Sequence, residues 1–199
     1  MRLVWLLVLA ACGEDPEFVA PDKEVCANRR DGVRYCIDTY EAARADATAG
    51  LAGSDDLSPP KTQPSLMPWT NISWGEAKAA CEKKGKRLCE LDEWVDACDG
   101  VVGNEGTTYT YGEVLDPSRC NIGNGAAQAG GSVSTCQSLI GTYDQSGNVW
   151  EWTGNTAGAA AVRGGGWAST QTHRCVDVLP GASSTEKSAE IGFRCCRST

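Results

Sequence analysis

Val33, Tyr35 and Ile37 alternate with polar residues in GVRYCIDTYEA, residues 32–42, the period-two pattern of a strand with one buried face. At Ser73 the period changes. Ser73 and Glu76 stand at the spacing of a capping box, Ala77, Ala80, Cys81 and Lys84 follow on one side of a helix, and Gly85 supplies the stop. Leu91, Trp94, Val95 and Cys98 repeat the i, i+3, i+4, i+7 spacing of a second helix ending at Gly100. Each apolar stripe carries a cysteine towards the core. TTYTYG, 107–112, reads as a short strand. AVRGGGW, Ala161 to Trp167, and IGFRCC, Ile191 to Cys196, read as strands that bring glycine backbone against aromatic neighbours. The tracts between them, with SPP in the loop from Asp46 to Pro68 and GNGAAQAGG and GNTAGAAA further on, are loops without an internal repeat.

Composition adds the scale and class. The 199 residues suffice for one domain with a core, and Gly 23 against Phe 2 and Met 2 favours irregular loops over helical bundles. A net charge of -8 and a pI near 4.7 exclude nucleic acid as a partner, because phosphate binding needs a basic face. The one basic run, KKGKR at 83–87, falls at a helix end, where cations suit the dipole.

The N-terminus has Arg2, an apolar run from Leu3 to Leu9 and then small residues, the layout of an export signal too short to span a bilayer. LAAC, Leu9 to Cys12, looks like a bacterial lipobox, with Cys12 as the acylated first mature residue; an ordinary cleaved signal with an incidental cysteine is the plainer alternative. This divides the chain into a signal at 1–11, a lipidated cysteine and acidic tether at 12–25 and a folded domain at 26–199. The expected location is the cell envelope, with the membrane reached through the N-terminal lipid. Gly13 after Cys12 carries no inner-membrane retention signal, which favours the outer membrane. Of the eleven cysteines, setting Cys12 aside leaves ten, an even number that in an exported chain reads as a disulfide framework of up to five bridges.

Six segments now stand in a familiar order: CIDTYEA, NISWGEAKAACEKKGKRLCELDEWVDAC, YTYG, GTYDQSGNVWEWT, VRGGGW and GFRC. Together they resemble the formylglycine-generating enzyme family, or sulfatase-modifying-factor domain, from about Tyr35 to Cys196. The resemblance implies an α+β, C-type-lectin-like fold, loop-rich, with two main helices and small antiparallel sheets. It implies bridges from Cys81 to Cys195 and from Cys98 to Cys175. For the other six cysteines it names no partners. Cys120 with Cys136 and Cys26 with Cys36 are local possibilities that leave Cys89 for Cys196, although the adjacent Cys195 and Cys196 could exchange roles.

The resemblance also implies a calcium ion wrapped by DQSGNVWEW. The carboxylates of Asp144 and Glu151 and the main-chain carbonyls of Gly147 and Val149 would be its hard oxygen ligands. A hydrogen-bonded turn without an ion is the plain alternative. Trp150 and Trp152 read as core anchors.

Members of the family that are enzymes oxidise a substrate cysteine with molecular oxygen, using Cu(I) on two thiolates five positions apart, between an RGGS segment and the cysteine matched by Cys175. Here that interval reads WASTQTHR, Trp167 to Arg174, without a cysteine, so copper is not expected and no catalytic residue is assigned. The iron-dependent branch of the family needs several histidines, whereas His173 is this chain's one histidine and reads as an exposed loop residue. The expectation is a non-catalytic binding or scaffold lipoprotein. Its partner would be a protein, peptide or glycan at the loops 46–68, 103–111 and 154–161. The alternative is a divergent formylglycine-generating or other oxidoreductase that modifies protein cysteines.

Overall fold

The structure is a computed structural model that describes residues 21–100 and 106–199. The apolar leader and Cys12 lie outside the described residues, as do residues 103–105 of the second candidate loop. The chain forms β1 (Glu24–Asn28), β2 (Arg34–Asp38), α1 (Trp74–Lys83), β3 (Arg87–Leu88), α2 (Leu91–Cys98), β4 (Trp150–Thr153), β5 (Ala161–Arg163), β6 (Ile191–Phe193) and β7 (Cys195–Ser198). One sheet has the order β1-β2-β7-β3 and the other β5-β4-β6, in which β4 and β6 run parallel. Loops make up most of the rest. This is the loop-rich α+β arrangement with two helices and small sheets, with β1 starting inside the stretch read as tether: Asp22 already accepts a hydrogen bond from the Thr62 amide (2.7 Å).

Local chemistry explains α1. The Ser73 hydroxyl accepts from the Glu76 amide, Glu76 returns a bond to the Ser73 amide, and Gly85 takes the left-handed conformation (φ +70°) that ends the helix. Ala77, Ala80 and Cys81 are the buried face.

Two elements depart from their sequence patterns. In β2 every residue from Tyr35 to Asp38 is buried, because both faces are covered. Tyr35 and Ile37 pack with Trp94 and Ala97, while Cys36 is bridged to Cys26 and Asp38 meets Lys86. Val33, read as part of the stripe, lies outside the strand and is exposed. In α2 the buried set is Glu93, Trp94, Asp96, Ala97 and Cys98, whereas Leu91 and Val95 are half-buried. The two acids are buried because each meets an arginine, Glu93 with Arg87 and Asp96 with Arg30. The expected strand at 107–112 is absent: the chain reverses between Tyr109 and Gly112, and the Tyr109 and Tyr111 rings stack at 5.5 Å.

Two cores flank β7. Successive side chains on a strand point to opposite faces. Cys195 enters the core of α1 with Trp152, Phe193 and Leu88, and Cys196 enters the core of α2 with Tyr35, Trp94 and Cys89. The disulfides follow that division. Cys81–Cys195 lies in the first core, and Cys89–Cys196 and Cys98–Cys175 lie in the second, while Cys26–Cys36 and Cys120–Cys136 close short local loops. All ten cysteines of the described residues are paired.

Candidate functional site: a buried carboxylate cluster beside a thiol-free loop

The segment 144–152 lies between the two cores, and its polar side chains are buried with it. Asp144 and Asn148 take left-handed conformations (φ +65° and +64°), which short polar side chains tolerate. A Cβ at Gly147 would lie 2.9 Å from the Asn121 carbonyl oxygen, so this turn passes too close to neighbouring backbone for a side chain. Asn148 donates from Nδ2 to Glu41 (2.6 Å) and to the Gln128 carbonyl (3.0 Å), and its Oδ1 accepts from the Asn121 side chain and the Gln128 amide. Gln145 donates to the Trp94 carbonyl (3.0 Å), which fixes the loop to α2. Trp152 is fully buried and its Nε1 donates to the Ile72 carbonyl (2.8 Å).

β4 aims Glu151 at Arg194, the residue between β6 and β7. Arg194 Nε donates to Oε2 (2.7 Å) and Nη2 to Oε1 (2.6 Å), and Trp94 Nε1 adds a bond to Oε2 (2.7 Å). Both partners are fully buried. The remaining guanidinium protons reach the carbonyls of Asp38, Thr39 and Tyr143. Burial acts to lower the proton affinity of Arg194, but the charge and hydrogen bonds of Glu151 together with the charges of Glu41 and Asp144 outweigh it and leave the guanidinium above its ordinary value. Glu41 and Asp144 complete the cluster. Glu41 accepts from Asn148 and the Val149 amide, and Asp144 from the Gly131 amide (2.7 Å). Burial pushes the Glu41 carboxyl well above its usual range, reinforced by Asp144 and Glu151, and pushes Asp144 up to about 7 against the pull of Gly131 and Arg194.

Three buried carboxylates thus face one guanidinium. Neither Arg194 nor Glu41 stands out in the sequence; both belong to the quoted motifs GFRC and CIDTYEA, and only the fold shows that they meet Glu151 and Asn148. Among the described residues the carboxylate oxygens of Glu41, Asp144 and Glu151 are not all within 4.8 Å of one another. A metal here would therefore need main-chain oxygens as well. The donor chemistry nevertheless fits calcium. The donors are hard oxygens, and Glu151 Oε1 keeps one lone pair beyond that used by Arg194. The one cluster of three metal-type groups among the described residues, Glu24 with Cys26 and Cys36, has both its sulfurs in a disulfide.

The comparisons with known proteins agree with this architecture. The family described as the sulfatase-modifying factor enzyme 1-like domain matches residues 21–199. The chain belongs to this family. Among curated relatives, the protein named inactive C-alpha-formylglycine-generating enzyme 2 of Bos taurus is 33% identical over 151 residues, 65% of this chain and 50% of that one. The formylglycine-generating enzyme of Streptomyces coelicolor is 28% identical over 165 residues, 64% of this chain and 52% of that one. The chain spans about half the length of these relatives. Two solved structures share the fold: Treponema denticola variable protein 1 (TM-score 0.60, 16% identity, 92% of this chain and 94% of that one) and PvdO from Pseudomonas aeruginosa (TM-score 0.60, 18% identity, 90% and 92%).

The motif resemblance aligns the loop 167–174 with the thiolate-bearing interval of the family's copper enzymes. Part of this loop is structural. The Trp167 amide donates to the Asn148 carbonyl (2.7 Å), and Ser169 Oγ accepts from the Gly166 amide (3.0 Å). A Cβ at Gly166 would lie 2.8 Å from Trp150 Cδ1. His173 is not an exposed loop residue: it packs on Trp150 with ring centroids 4.6 Å apart. Burial lowers its proton affinity, against the opposing charge of Asp177. Its Nδ1 lies 4.0 Å from Asp177, beyond hydrogen-bond reach, and no acid-base pair forms.

Replacing Arg194 with Met should cost about 3–5 kcal/mol, because it leaves the Glu151 carboxylate buried and unpaired. Adding Glu151→Gln to that variant should recover part of the loss. Denaturant titration of the two variants checks both; an Arg194→Met cost below about 1 kcal/mol would show that the pair does not hold the cluster.

Proposed function

We propose that this protein is an exported, non-catalytic binding or scaffold protein built on the formylglycine-generating-enzyme fold. The observation that carries this reading is the loop 167–174, which offers no thiol where the family's copper enzymes hold a pair. The pairing of every cysteine in the described residues supports it, since no thiol is left to rebuild a soft-metal site elsewhere in them. A relative whose own name calls it inactive is consistent with the same conclusion. Five bridges point to an oxidising, extracytoplasmic compartment. The leader pattern and LAAC at 9–12 extend that to an envelope lipoprotein acylated at Cys12 and held at the outer membrane. Its partner is a protein, peptide or glycan engaged by the loops at 46–68, 103–111 and 154–161, carried on a rigid stapled frame.

We also assign a structural calcium ion to the turn at 144–151, held by the carboxylates of Asp144 and Glu151 and the carbonyls of Gly147 and Val149. Bound there, the ion supplies positive charge against the carboxylate excess and ties the loop to β4. It takes no part in chemistry.

Two measurements test these readings. Incubated with copper, oxygen and a cysteine-containing peptide, the protein should yield no aldehyde above a protein-free control, as read by hydrazide trapping and mass spectrometry; clear aldehyde formation would make it an oxidase. Millimolar calcium should raise the melting temperature of chelator-treated protein by several degrees, as expected when an ion binds the folded state and not the unfolded chain. Magnesium should act weakly and Asp144→Asn should remove the effect. Equal melting with and without calcium would remove the ion from the account.

A further inference from the structure

A groove of about 470 Å³ opens on the face of α2, bounded by Arg29, Arg30 and Asp31 at the β1–β2 turn, Asp92, Val95 and Asp96 on the helix, Arg163 at the end of β5, and Val176. Its volume falls within the range of small-ligand sites, about 300–1,000 Å³. Most of its charge is already matched. Arg30 is paired with Asp96 and Asp99, and Arg29 with Asp31, with Asp92 a further 3.7 Å contact.

Arg163 is the exception. Among the described residues no carboxylate lies within ion-pair distance of it; Nη1 donates to the Val176 carbonyl (2.9 Å), and Nε is buried without an acceptor. Arg29, which lines the same groove, also has a buried Nε without an acceptor. Both Nε atoms are covered by protein; the donor of Arg163 that a groove ligand can reach is Nη2, which is accessible and has no hydrogen-bond partner among the described residues. Burial also pulls the Arg163 guanidinium below its ordinary value, with Asp92 and Asp177 offsetting this from a distance. Arg163, of the residue type that grips carboxylates in a planar fork and without an ion-pair partner among the described residues, therefore lines a concave site beside half-buried Val95 and exposed Val176.

We propose that this groove binds the carboxylate of an aliphatic ligand, with Arg163 as its anchor and Val95 and Val176 as the apolar wall. The group has two natural sources, the free C-terminus of a peptide and an acidic side chain. The site shares no residue with the turn at 144–151 or the loop 167–174, so it stands whether or not the domain is catalytic.

The test is calorimetric titration of the full-length protein with acetyl-Ala-Val bearing a free C-terminus. Parallel titrations use the same peptide as its amide and acetyl-Glu-Ala amide, whose carboxylate is on a side chain. The free-acid peptide should bind and its amide should not. Binding of the glutamate peptide as tightly as the free-acid peptide assigns the source to acidic side chains, and weaker binding assigns it to C-termini. Arg163→Gln should weaken the preferred ligand at least about tenfold, and Arg163→Lys nearly as much, because a single ammonium cannot reproduce the fork. Asp92→Asn, an exposed change that removes a competing negative charge, should tighten binding about two- to threefold. Melting curves establish that each variant is folded. No binding of any carboxylate probe at about 10 mM, equal binding of the amide, or an Arg163→Gln variant that is folded and binds like the parent would overturn the proposal.

Discussion

The Arg194 guanidinium sits at the step where the chain leaves β6 in one sheet for β7 in the other. It holds Glu151 of β4 by two bonds and reaches the carbonyls of Asp38 and Thr39 at the end of β2 and of Tyr143. A buried charge is tolerable only where almost every donor finds an acceptor, which is why so many segments converge here. The next two residues continue the same task. Cys195 and Cys196 turn to opposite faces of β7 and lock α1 and the α2 core to one strand. With regular structure confined to short strands and two helices, the domain relies on this seam and on its cross-links where a larger sheet would rely on strand pairing.

That dependence explains what the primary structure reveals and what it hides. The first helix is legible to the residue because its signals are local: a capping box at Ser73 and Glu76, a buried alanine face and a glycine stop. Burial of α2 is not. Arg87, in β3 just before the helix, neutralises Glu93, and Arg30 reaches Asp96 from the distant β1–β2 turn, which rotates the buried face away from Leu91 and Val95. His173 likewise reads as a surface residue until Trp150 is placed against it. For the cysteines, parity fixes the number of bridges and family resemblance suggests two of them. The question left open by the neighbours Cys195 and Cys196 is one of strand geometry, since adjacent residues face opposite cores.

At the candidate site, DQSGNVWEW stands out because carboxylates, glycine, asparagine and tryptophan seldom fall together, yet its counterparts Arg194 and Glu41 become visible only in three dimensions. The cluster is closed on itself: Glu151 is held by Arg194 and Trp94, and Asn148 by Glu41, Asn121 and Gln128. Its chemistry is that of a hub between two cores. The neighbouring loop has the same character, with Trp150 filling the space beside Gly166. What the fold leaves to the surface is a set of long loops and the arginine-lined groove on α2.

The central claim is that every cysteine of the described domain is committed to a cross-link, and a disulfide map tests it most directly. Alkylation of the oxidatively expressed protein under denaturing, non-reducing conditions, followed by peptide mass spectrometry, counts free thiols and identifies each bridge. The account predicts no free thiol among the ten cysteines from Cys26 to Cys196, with Cys81 linked to Cys195, Cys89 to Cys196 and Cys98 to Cys175. Two free thiols in the folded protein would contradict it and would reopen a copper-thiolate chemistry for this fold.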